Sequence, residues 1–141
     1  MATKNTEIQT ASNTEIQTVD FNIPEGFICT VDLTTEEGKI SVATALNGAE
    51  PLKDYVNKEL FLKDVVTTSG VRAVSGTACT NTYLILADGK VLFSQSDGVA
   101  RSIRTIVALW SGDFGENGRK IKCIEQRLNN GNSLKTIVPL G

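Results

Sequence analysis

TNTYLILADGKVLFSQSDGVARSIRTIVALW, residues 80–110, changes rhythm twice, and those changes decide the fold class. Thr80 to Ala87 is rich in β-branched, aromatic and aliphatic residues and reads as a strand. Asp88-Gly89 is a tight-hairpin signal, and Val91 to Gln95 is the return strand. The apolar period then moves from two to 3.6. Val99, Ile103, Ile106, Val107 and Trp110 fall on one stripe of a helix, with Ser96 or Asp97 as its natural N-cap.

Outward from this centre the chain reads as mostly β. Upstream, Leu60 to Thr68 is a β-rich run, and Ser69 to Ala78 is a glycine-bearing loop. Downstream, SGDFGENG at 111–118 ends the helix. Lys120 to Arg127 is a strand, NNGN at 129–132 a hairpin turn, and Ser133 to Val138 the last strand. The order from Leu60 is strand, strand, strand, helix, strand, strand. That is the element order of the OB-fold, a five-stranded Greek-key barrel with one helix between strands 3 and 4. Residues 60–139 are the expected barrel. An α+β sandwich fits the same order less specifically.

Residues 27–46 are expected to add an N-terminal hairpin. Phe27, Cys29, Val31 and Leu33 alternate with polar neighbours, TTEEG at 34–38 supplies a turn, and Ile40, Val42 and Leu46 form the return strand. The segment 1–22 is a flexible N-terminal arm, polar and carrying NTEIQT twice, so it cannot bury enough apolar surface to fold alone. Ile16, Val19 and Phe21 are apolar anchors through which the arm is expected to self-associate with another subunit. Residues 23–141 form the single expected domain.

Composition removes several chemistries. The chain has no histidine, so mechanisms built on Ser-His, Cys-His or histidine-bound metal are out of reach. Cys29, Cys79 and Cys123 are far apart and odd in number, which suits neither a disulfide framework nor a zinc site. No phosphate-cradling GxxxxGK[ST] loop occurs, and Glu36-Glu37 reads as solvated turn charge. A binding protein without cofactor or metal is expected, not an enzyme. With no long apolar run and no basic-then-apolar start, it is expected to be cytoplasmic and away from membranes.

Charge is uneven. Residues 1–59 hold four lysines against ten carboxylates, whereas residues 60–141 hold ten lysines and arginines against six. Such asymmetry points to a nucleic-acid-binding part beside an acidic one. A single strand needs cations for phosphates and flat side chains for bases. Arg72 lies in the first loop of the expected barrel. Lys122 and Gln126 share one face of the fourth strand, Lys135 projects from the fifth, and Arg101 and Arg104 lie off the helix stripe. Tyr83 and Phe93 stand on the second and third strands, Phe114 in the glycine-rich loop and Tyr55 in the connector. Each of these also has a bland reading, as solvated charge or core aromatic.

Four stretches carry a family resemblance: DVVTTSGVR (64–72), CTNTYLILADGK (79–90), FSQSDGVARSI (93–103) and NGNSLKTIVP (130–139). Through them the chain from about Cys29 to Pro139 is similar to single-stranded-DNA-binding proteins of conjugative plasmids and phages of Gram-positive bacteria, the PrgE type. The resemblance implies an OB-fold that coats single-stranded DNA without strict sequence preference, and subunits joined through the N-terminal arm. It departs from housekeeping bacterial relatives in its short NNGN turn and its apolar TIVPLG end, where those proteins carry an acidic recruiting tail. A dedicated role in conjugation or phage replication is therefore the expected one. The alternatives are an assembly protein that polymerises through its arm and an RNA-binding module, and double-stranded DNA also stays open as a partner.

Overall fold

The computed structural model describes residues 28–141. The arm at 1–22, with Ile16, Val19 and Phe21, lies outside the described residues. The described chain is mostly β, with elements β1 (Ile28–Cys29), α1 (Glu36–Asn47), β2 (Glu50–Pro51), β3 (Glu59–Val71), β4 (Ala78–Leu86), β5 (Val91–Ser94), α2 (Asp97–Trp110), β6 (Arg119–Arg127) and β7 (Ser133–Pro139). A 3-10 turn at Leu52–Tyr55 follows β2. From β3 onward the order is strand, strand, strand, helix, strand, strand. No helix among the described residues is long and apolar enough to cross a membrane.

The strands form one curled, open sheet in the order β2-β5-β4-β3-β6-β7. β3 is its organiser. From Leu62 to Val71 it pairs antiparallel with β4, while its other edge changes partner midway: Glu59–Leu62 pair with β6, and Val66 and Thr67 pair with β1. A bulge between Leu62 and Asp64 marks the change. Bulges bend a strand and re-aim a side chain. Here Lys63 Nζ donates to the carbonyls of Gly115 and Glu116, each at 3.1 Å, and pins the loop after α2.

Alternation sends neighbouring side chains to opposite faces. On the inner face Leu62, Val65, Leu84, Leu92, Ile121 and Ile137 pack with Val99, Ile103 and Ile106 of α2 in the main core. On the outer face Val66 and Ile85 pack with Ala45 of α1 in a smaller cluster. The α2 stripe therefore reads as expected, and Ser96 caps it, its hydroxyl accepting from the Val99 amide at 3.4 Å.

Among the described residues no ladder joins β5 to β7. α2 approaches the β7 backbone so closely that a Cβ on Gly98 would collide with the Lys135 carbonyl oxygen. Only glycine permits that contact.

The expected hairpin at 27–46 is not formed. β1 is short, and Glu36–Asn47 is a helix. The residues read as a turn instead start α1: the Thr35 hydroxyl accepts from the Gly38 amide at 3.0 Å, and Glu36 and Glu37 sit in the first turn, where the helix dipole favours acids. Val42 and Ala45 lie at helical spacing and meet the sheet, while Gly38, on the same side one turn earlier, is buried against the Asp32 carbonyl. The bulkier Ile40 and Leu46 suggested a strand because they are more apolar, although they face solvent. The loop expected at 69–78 is also shorter, since Ser69–Val71 remain in β3.

Candidate functional site

The outer face of β3, β4 and β5 is only partly covered by α1. Beyond that cover Tyr83 and Phe93, directly opposite in the β4–β5 ladder, form a tilted aromatic pair with centroids 5.1 Å apart. Both are half-buried. Tyr83 packs against the small cluster under α1, which fixes that side of the pair.

A polar row adjoins this pair on the same face. Gln95 Nε2 donates to Asn81 Oδ1 at 3.0 Å, and Asn81 Nδ2 donates to Thr68 Oγ1 at 3.3 Å. Gly70, beside Cys79 in the ladder, makes room for the Asn81 side chain. The result is a shelf across β3, β4 and the end of β5, with two aromatic rings at one side and three polar side chains at the other. Flat faces beside fixed donors and acceptors suit planar heterocycles that stack and hydrogen-bond at once.

Arg72 borders the shelf but is committed within the protein. One terminal nitrogen donates to Thr77 Oγ1 and the Ala78 carbonyl, and the other donates to the Gln95 carbonyl and to Asp97 Oδ1 at 3.0 Å. Its guanidinium braces the β3–β4 turn against the start of α2, a structural use that sequence did not reveal. The turn exposes Val74, and Val71 at the end of β3 is exposed beside it.

Lys122 and Gln126 share the outer face of β6, where Lys122 pairs in register with Glu59. Lys120 stands on that face too, opposite Phe61, which is 45% exposed. The Leu60-Phe61-Leu62 alternation carried the signal for Phe61, since two buried leucines must leave the residue between them facing outward. Lys135 lies on the other face and forms an ion pair with Glu125 at 3.6 Å. The Glu125 carboxyl is held below the usual carboxylate range by hydrogen bonding from Ser133 and by the Lys135 ammonium. Lys135 therefore does not join Lys122 and Gln126.

Phe114 is not a stacking residue: it is buried in the main core, because the glycine-rich loop folds its ring inward. Tyr55 packs partly against that core, and its hydroxyl donates to Glu50 at 2.6 Å, which holds its pKa above the ordinary phenol value. Lys58 lies 5.4 Å over its ring. Arg101 and Arg104 are exposed on α2, away from the shelf. Among the cysteines, Cys123 is buried and Cys29 and Cys79 are half-buried. No cluster of metal-binding side chains occurs among the described residues. Comparison with protein-family models, with curated proteins and with solved structures returns no match.

Proposed function

We propose that the protein is an OB-fold module that binds single-stranded DNA with little sequence preference, in the service of plasmid conjugation or phage replication. The observation that carries this reading is the Tyr83–Phe93 pair, continuous with Thr68, Asn81 and Gln95 on the outer face of β3–β5. In a five-stranded OB-fold the corresponding face is the binding platform. Support for the fold comes from the strand order β5-β4-β3-β6-β7, with β3 antiparallel to both β4 and β6 and α2 inserted after β5. Stacking accepts every base, whereas the polar row can bond to base edges or sugar. Lys120 and Lys122, beside the exposed Phe61 further along the same face, would supply phosphate contacts.

Titration of fluorescent oligonucleotides of mixed sequence, DNA and RNA in parallel, tests the reading. Tyr83→Ala and Phe93→Ala should each weaken binding by about 1–3 kcal/mol, the usual worth of one stacked base. Affinity should fall as salt rises, with a modest slope because few cations flank the shelf. If both variants bind like the parent, or if the parent binds no single strand, the reading fails.

A further inference from the structure

α1 carries its bulk on the wrong side for a helix that merely covers a sheet. Ala45 is buried and Val42 half-buried against the sheet, and Gly38 is buried against the Asp32 carbonyl, while Ile40 is 58% and Leu46 40% exposed. At 3.6 residues per turn Glu36, Ile40 and Ala43 form a strip opposite Val42 and Ala45, with Leu46 along its margin. An ordinary surface helix would bury the large residues and expose the small ones. Asp32, Glu36 and Glu37 make the N-terminal end of this face acidic, against a single cation, Lys39.

α2 presents a complementary face. Arg101, Arg104, Ala108 and Leu109 are exposed on its solvent side, Leu109 at 69%. Among the described residues no ion pair engages Arg101 or Arg104. In each helix the charged residues lie N-terminal to the apolar ones, and the steps Glu36 to Ala43 and Arg101 to Ala108 are equal, about 10 Å along the axis. Run side by side in the same direction, the acids of one helix meet the arginines of the other, and apolar meets apolar.

One chain cannot make this contact by itself. α2 packs with Leu84 on the inner face of the sheet and α1 with Ile85 on the outer face, and these neighbours on β4 point in opposite directions. We propose that the outer face of α1 docks on the outer face of α2 in a second copy of this chain. The two surfaces differ, so the contact is heterologous and extends head-to-tail instead of closing as a two-fold dimer. It is independent of the aromatic shelf and would hold whether or not nucleic acid binds there.

The test uses the full chain without nucleic acid, with mass followed by light scattering and sedimentation over a concentration series at low salt. The parent should gain mass with concentration. Glu36→Arg with Glu37→Arg, and separately Arg101→Glu with Arg104→Glu, should each weaken self-association about tenfold, since each pair of substitutions replaces attraction by repulsion at exposed sites. An equimolar mixture of the two variants should recover the parent's association, because opposite charges again face one another. Ile40→Ser should weaken association while leaving the melting temperature unchanged. A parent that stays monomeric, or a mixture no better than either variant, overturns the proposal. So does an Arg101→Glu, Arg104→Glu variant that loses oligonucleotide affinity with its mass unchanged, since the basic face would then belong to nucleic acid.

Discussion

The Ile137 amide donates to the Ser102 hydroxyl at 2.9 Å, so a side chain of α2 satisfies a backbone donor on β7. The same hydroxyl donates back to the helix, to the Gly98 carbonyl at 2.8 Å. One serine thereby ties the helix to the strand whose backbone Gly98 touches. Ser102→Ala leaves the Ile137 donor without this partner and should destabilise the fold by about 1–3 kcal/mol. Gly98→Ala should also destabilise it, because the new Cβ forces α2 off β7. Urea unfolding reads both: the midpoint falls while the slope stays at the parent value.

Arg72 and Lys122 should part company on mutation. Arg72→Ala removes four hydrogen bonds, two across the β3–β4 turn to Thr77 and Ala78 and two that hold that turn to Gln95 and Asp97. The guanidinium is partly exposed, so solvent screening reduces the loss to about 1 kcal/mol, with faster amide exchange across residues 72–77. Lys122→Ala should leave stability within about 0.5 kcal/mol. It should lower the salt slope of oligonucleotide binding by about 0.7. Equal effects of the two variants on stability would refute this division of labour.

The start of α1 should fray in acid. The Asp32 carboxylate accepts from the Thr34 hydroxyl at 2.6 Å and from its amide at 2.9 Å, and these bonds hold its pKa below the usual carboxylate range. A folded-state pKa depressed in this way contributes stability that is present above the unfolded value, near about 4, and is lost as pH falls through the folded value. Amide exchange at residues 34–39 should therefore accelerate below about pH 4, and Asp32→Ala should show that faster exchange already at neutral pH. No acid dependence in the parent would count against it.

Thiol chemistry should rank the cysteines. Burial pushes the Cys123 thiol up and closes it to solvent within the main core. Burial also raises Cys29, which is half-buried. At neutral pH an alkylating reagent should modify Cys123 only at the rate of global unfolding, with rapid labelling once denaturant is added. Labelling of Cys123 in the native protein as fast as of Cys79 would contradict its placement.

Periodicity made much of the sheet legible, and what escaped it has physical causes. The stripe from Val99 to Trp110 is strongly amphipathic, and Asp88-Gly89 fixes a turn locally, so both could be read without tertiary knowledge. α1 escaped because its contact side is made of small residues, which hydropathy hardly registers, and its large residues face away from the sheet. The fate of Phe114 depended on how a glycine-rich loop folds over the core, and that of Arg72 on acceptors from two separate segments, Thr77–Ala78 and Gln95–Asp97. The facing of Tyr83 and Phe93 followed from strand alternation once the register was known, and their adjacency rested on a ladder that no local pattern specifies.

Because β3 lends one edge to two partners, the sheet has a seam. β3, β4 and β5 are joined by short turns and can zip sequentially, and so can β6 and β7. The two pieces meet along β3 only through Glu59–Leu62, whose partners in β6 lie beyond both α2 and the loop after it. Closing that gap carries the largest loop entropy of any ladder in the described chain, so it belongs late in assembly. A substitution at Ile121 should therefore speed unfolding more than it slows folding, whereas one at Leu84 should slow folding.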